Sequence, residues 1–177
     1  MSKINGIYAA SVSILDENLK LDINKTIRHA ENLIKSGCHG VVIFGSTGQS
    51  QLISLEEKFK LIQNISKSKF KDKFIIGTGL NSLQDTISLI KISNSYYFNN
   101  FLIMPPAYYM YEDKDVIRFY TKLIEKLSDC KIILYNFEKL SGYKFSKESV
   151  EKLVSLFPEN IIGVKDSSYN LFEHLKL

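Results

Sequence analysis

The sequence predicts an α/β protein built on a parallel sheet. Short β-branched runs alternate in regular order with longer stretches that place an apolar residue every three or four positions, which is βαβα order. Runs such as Gly40-Val41-Val42-Ile43-Phe44 and Ile161-Ile162-Gly163-Val164 carry no alternating polar residues. Strands joined through helices run parallel and are covered on both faces, and uninterrupted apolar runs suit that burial.

Taken along the chain, strand-like runs fall at residues 6–12, 40–44, 74–77, 101–104, 131–135 and 161–165. Helical patterns lie between them at 23–35, 55–66, 83–94, 116–127 and 147–157, each with an apolar stripe and Lys or Glu opposite. Three of these helices have a recognisable start. Ser54 precedes Leu55-Glu56-Glu57 in a Ser-x-x-Glu box, Ser82 precedes Leu83-Gln84-Asp85, and Ser146 precedes Lys147-Glu148.

Two architectures share this order, an open doubly wound sheet and a closed eight-stranded barrel, and the barrel takes about 250 residues. The chain has 177 residues and six strand signals, and it stops where a sixth helix would begin. The expectation is one incomplete barrel domain over residues 1–177, without strands 7 and 8 or the C-terminal helices. No linker or repeat argues for a second domain.

Composition narrows the function. Of the residues, 45% are hydrophobic and 24% charged, so the chain can fill one core and is neither disordered nor fibrous. The net charge of +4 is scattered, and Arg28 and Arg118 are the two arginines, too few for the forked contacts of a nucleic-acid reader. No apolar run approaches the roughly 20 residues of a membrane helix, and the N-terminus lacks a signal-peptide layout, so a soluble cytoplasmic protein is expected. Cys38 and Cys130 show no metal-ligand spacing and read as buried thiols. His29, His39 and His174 form no spaced pair, so no metal site is expected.

Chemistry is concentrated at strand ends. Lys165 closes the apolar run that starts at Ile161, and period two puts it on one face with Gly163 and Ile161. A lysine there either snorkels into water or, desolvated above a glycine, becomes an amine able to attack a carbonyl. Tyr135 ends the preceding strand in the equivalent slot, where its phenol either packs quietly or shuttles protons beside that amine. The loop Gly45-Ser46-Thr47-Gly48-Gln49 follows the second strand and presents two hydroxyls and backbone N–H groups that suit a carboxylate or phosphate. It is not a Walker loop. Gly77-Thr78-Gly79 makes a weak dinucleotide signal, since Ser82 stands at the third glycine and no acidic residue ends the next strand. The stiff turn Pro105-Pro106-Ala107, followed by Tyr108, Tyr109 and Tyr111, suits an interface.

In their joint order these parts resemble one family, the pyruvate-dependent class I aldolases that include dihydrodipicolinate synthase, N-acetylneuraminate lyase and 2-keto-3-deoxy-gluconate aldolase. The segments that carry the resemblance are GIYAASVSILDENLKLD, GSTGQSQLISLEEK, GTGLNS, MPPAYY, YNFEKLSGYKFS and IIGVKDSS. The resemblance implies a (β/α)8 TIM barrel with its site at the C-terminal face. It further implies that Lys165 forms an imine with a 2-oxo acid and that Tyr135 relays protons. Ser46 and Thr47, with Gly48, would hold the substrate carboxylate, and Thr47 would link Tyr135 to a second tyrosine. That second tyrosine crosses a dimer interface in the family; Tyr108 matches it best and Tyr109 next. A dimer of dimers, no cofactor and no metal complete the expectation.

Two departures stand out. Dihydrodipicolinate synthases usually carry an arginine after the Tyr-Asn motif, where this chain has Leu140, and an apolar side chain cannot pair with a carboxylate. The Leu140-Ser141-Gly142 ending and the GSTG loop look more like N-acetylneuraminate lyase, although Lys139 offers a diffuse positive charge for the synthase reaction on pyruvate and aspartate semialdehyde. The second departure is length, which leaves strands 1 and 6 as unpaired edges and an apolar interior uncovered. Alone, such a chain is expected to be poorly soluble or to assemble non-natively. A nucleotide-binding domain and a catalytically inactive ligand-binding relative are the alternatives from other classes.

Overall fold

A computed structural model describes residues 4–127 and 129–169. Six strands, β1 (Tyr8–Ala10), β2 (Gly40–Ile43), β3 (Phe74–Gly77), β4 (Asn100–Ile103), β5 (Lys131–Asn136) and β6 (Ile161–Asp166), pair in parallel in the order β1-β2-β3-β4-β5-β6. A doubly wound sheet reverses its strand order partway across, so the consecutive order excludes that alternative and gives a curled part of a (β/α)8 barrel.

The helices are α1 (Ile23–Lys35), α2 (Leu55–Ile65), α3 (Leu83–Ser95), α4 (Asp113–Lys126), α5 (Glu138–Ser141) and α6 (Lys147–Leu156). Their starts obey the serines read from the sequence. Ser54 accepts from the Glu57 N–H while the Glu57 carboxylate takes the Ser54 N–H, and Ser82 and Ser146 accept from Asp85 and Ser149. Helix α4 begins three residues before the expected 116, because the Asp115 carboxylate reaches back to the Glu112 N–H. The four-residue α5 is too short to leave a periodic signal, and Gly142 ends it in the left-handed region at φ 72°.

The sheet's two faces bury different cores. Val41, Ile43, Ile76, Phe101, Ile103, Ile132 and Leu134 pack under the helices in the main core. Val42, Ile75, Leu102, Met104 and Tyr135 form a second cluster on the concave face, joined by Tyr8 and Ile133. A bulge between Ile132 and Ile133 breaks the expected period of β6: Ile161 pairs with Ile132 and lies in the helix-side core, while Gly163 pairs with Ile133. Ile161 therefore does not share a face with Lys165. Among the described residues β1 and β6 are the sheet edges, and Ile162 and Val164 of β6 are exposed.

Candidate active site

All the strands present their C-terminal ends to one rim, and register alone brings two chemical groups together there. Tyr135 pairs with Lys165 across β5 and β6, and Asn136 with Asp166 one step further. The rung beyond the pair is tied firmly: the Asn136 amide donates to the Asp166 carboxylate and the Ser167 N–H donates to the Asn136 carbonyl at 2.8 Å. A Cβ built on Gly163 meets nothing within 4 Å, so the stem of Lys165 rises over open space.

The half-buried Lys165 amine lies 3.8 Å from the centroid of the Tyr135 ring and donates to Ser167 Oγ at 2.8 Å. Tyr135 is 4% exposed, and its hydroxyl shares a 2.8 Å hydrogen bond with Ser46 Oγ. Burial pushes the phenol up, but hydrogen bonding with Lys165, Ser46 and Ser167 and the lysine's charge outweigh it, leaving Tyr135 below its ordinary value. A phenol so placed exchanges protons with a neighbouring amine more readily than a free tyrosine. Ser167 escaped the sequence reading, although its position two residues after Lys165 puts it on the same strand face.

The loop that brings Ser46 to Tyr135 is shaped by close backbone packing. Phe44 and Gln49 adopt left-handed φ values of 55° and 49° at its two ends. A Cβ on Gly77 would lie 2.4 Å from the Phe44 carbonyl oxygen, so only glycine lets β3 end against this turn. Gly48 sits against the Ser11 carbonyl, and its own carbonyl accepts from Ser13 Oγ at 2.6 Å. The Gly77-Thr78-Gly79 segment owes its glycines to the same packing, since a Cβ on Gly79 would strike the Ser50 side chain.

Of the residues read from the sequence, Lys165, Tyr135 and Ser46 converge. Thr47 is exposed, and no side-chain hydrogen bond reaches it among the described residues; Ser46 is the hydroxyl that holds Tyr135. Tyr108 is 88% exposed and stands edge-on to Tyr109 with ring centroids 5.1 Å apart. Within this chain neither tyrosine meets the pair at Tyr135.

Beside the pair a cavity of about 210 Å³ opens between Ser46 and Tyr135 on one side and Leu52, Leu102, Met104 and Leu140 on the other. Its walls are mostly apolar, and among the described residues no cationic side chain lines it. Lys139 points elsewhere, its amine 5.2 Å from the centre of the Tyr169 ring. Among the described residues no group of three or more His, Cys, Asp or Glu is placed to hold a metal ion, and no helix is long and apolar enough to cross a membrane. His39 accepts the Ile7 N–H through Nδ1. Cys130 is buried, with its thiol pushed up to about 11 by burial; Cys38 is only partly covered, contrary to the expectation that both are buried.

Consecutive parallel strands with a lysine and a tyrosine paired at their C-terminal ends define part of a (β/α)8 barrel with a candidate site on the face where such barrels carry theirs. The chain matches the dihydrodipicolinate synthetase family over residues 3–177, and it belongs to that family. It is 36% identical over 150 residues to the 4-hydroxy-tetrahydrodipicolinate synthase of Listeria monocytogenes, an alignment covering 83% of this chain and 50% of that protein. Its fold matches the crystal structure of dihydrodipicolinate synthase from Agrobacterium tumefaciens with TM-score 0.90 at 26% identity, covering 97% of this chain and 61% of the other. It also matches 2-keto-3-deoxygluconate aldolase from Picrophilus torridus with TM-score 0.88 at 25% identity, covering 97% and 61%. The chain spans about half the length of the curated relatives it matches.

Proposed function

We propose that the chain carries the catalytic lysine and tyrosine of a Schiff-base lyase that makes or breaks a carbon–carbon bond between pyruvate and an aldehyde. One observation supports this above the rest: the Lys165 amine lies against Tyr135, whose hydroxyl is held by Ser46. The neutral amine attacks C2 of the 2-oxo acid, and the resulting carbinolamine loses water to give a protonated imine. That imine accepts the electron pair released when a proton leaves C3 or when the C3–C4 bond breaks, and the enamine so formed adds to an aldehyde in the reverse direction. Tyr135 carries protons between the carbinolamine oxygen, the aldehyde or alcohol oxygen, and Ser46. The covalent imine serves in place of a cofactor or a metal. Tyr108, Tyr109 and Met110, all exposed, form the surface expected to meet a second copy in a dimer of dimers.

The partner aldehyde is proposed to come from a sugar acid, as in N-acetylneuraminate lyase or 2-keto-3-deoxy sugar acid aldolases, because among the described residues no cationic side chain lines the cavity at Leu140 to pair with a second carboxylate. The synthase reaction with aspartate semialdehyde is the second reading, favoured by the names of the curated relatives. An inactive ligand-binding relative, which would bind the 2-oxo acid without forming the imine, is the third. Incubation with pyruvate followed by borohydride tests the class: a reduced adduct mapped to Lys165, absent in Lys165→Ala, is expected, and no adduct on a folded chain refutes it. Given the adduct, the aldehyde that is consumed or released distinguishes the two substrate readings.

A further inference from the structure

One buried charge is left unexplained by this chemistry. Lys58, in the first turns of α2, is completely inaccessible to solvent. Its amine donates to the Thr78 carbonyl at 2.9 Å and lies 5.6 Å from the centre of the Phe44 ring. No ion pair among the described residues includes it; the adjacent Glu57 is committed to Ser54 and to the Leu21 N–H. The ammonium is thus desolvated with one strong acceptor for three N–H groups. Burial alone pulls it from 10.5 down to about 8. A leucine or methionine would fill the same helix position at lower cost, so core packing does not explain a lysine here.

Its location does. Phe44 and Thr78 are the residues at which the chain leaves β2 and β3 for the two rim loops, and Thr78 is fully buried with its own hydroxyl unpartnered among the described residues. The carbonyl that Lys58 holds also accepts from Ser50 Oγ at 3.0 Å. Ser50 in turn closes the loop, its N–H donating to the Gly45 carbonyl at 3.4 Å, and that loop carries Ser46 to Tyr135. A continuous set of hydrogen bonds therefore runs from the buried amine through Thr78 and Ser50 to the loop of Ser46.

We propose that Lys58 is a positioning residue: by fixing the Thr78 carbonyl beneath Ser50 it holds the 45–50 loop so that Ser46 meets the Tyr135 hydroxyl. This role bears on catalysis only if Tyr135 is the proton carrier proposed above, whereas the phenol's own titration reports the coupling whether or not the chain turns over.

The test is an NMR titration of the full chain with tyrosine labelled at Cζ, the Tyr135 signal being identified by its loss in Tyr135→Phe. In the wild type Tyr135 is expected to titrate below 10, and Ser46→Ala to move it up. Lys58→Met is expected to move it up in the same sense, and the double variant Ser46→Ala/Lys58→Met to move it no further than Ser46→Ala alone. An unmoved midpoint in Lys58→Met overturns the role, and so does full additivity, which is the mark of a through-space effect of the charge. Should Lys58→Met fail to fold, Lys58→Gln decides in its place, since it keeps a polar side chain at the position but is too short to hold the Thr78 carbonyl as the amine does: an upward move sustains the role and no move overturns it.

Discussion

Replacing Lys58 by methionine is expected to invert the usual sign of a core substitution. The side chain is fully buried, and its amine titrates at about 8 in the fold against 10.5 when unfolded. Below pH 8 both states hold the proton, and the fold bears the whole penalty of the buried charge. Between 8 and 10.5 the unfolded chain binds the proton that the native chain has lost, so native stability rises with pH. The difference of 10.5 and about 8 corresponds to roughly 3 kcal/mol. Methionine keeps most of the stem, removes the charge and gives up the hydrogen bond to Thr78, worth about 1 kcal/mol. Lys58→Met is therefore expected to be more stable than the wild type at pH 7 by about 1–2 kcal/mol, and to lose that advantage by about pH 10. Urea unfolding of both proteins from pH 6.5 to 10 measures it, the difference between them cancelling every other group that titrates in the window. A stability difference that does not change with pH, or a methionine variant destabilised at pH 7 by several kcal/mol, would refute the reasoning.

Other expectations are as direct. Tyr135→Phe keeps the ring beneath the Lys165 amine and removes the hydroxyl, so stability should change by about 1 kcal/mol or less while turnover falls by about 10²- to 10⁴-fold; wild-type turnover in this variant sinks the proton role. Ser54→Ala removes half of a capping box and should cost about 1 kcal/mol in urea unfolding, an unchanged midpoint showing that the cap is not used. Gly77→Ala places a Cβ 2.4 Å from the Phe44 carbonyl oxygen and should destabilise by about 1–3 kcal/mol. Leu140→Arg supplies the missing fork beside the cavity and should raise kcat/KM for aspartate semialdehyde by at least about tenfold over a neutral sugar aldehyde; no change in that ratio places the second subsite elsewhere.

The parts of this protein that depend on short-range chemistry were readable in its sequence. Helix α1 occupies the residues its apolar period marks, and Ser54, Ser82 and Ser146 cap as their spacing requires, because a cap is a contact over three residues. The rim position of Lys165 and Tyr135 was readable for a similar reason: each ends an apolar run, and parallel strands deliver such ends to one side. What was hidden depends on other strands. The bulge at Ile132 and Ile133 shifts Ile161 to the helix side, and no pattern within 161–165 announces an extra residue opposite β5. Lys58 reads as the polar side of an amphipathic helix, yet the ends of β2 and β3 close over it. Thr47 and Ser46 are chemically alike and adjacent, and only the left-handed turn at Phe44 decides which hydroxyl faces Tyr135.

The central claim is that Lys165 is a nucleophile toward a 2-oxo acid, and intact mass spectrometry with peptide mapping after pyruvate and borohydride measures it most directly. The account expects one reduced pyruvate adduct per chain, on the peptide containing Lys165 and on no other lysine, with the adduct lost in Lys165→Ala. A folded chain that takes up no pyruvate, or one modified at a different lysine, would contradict it.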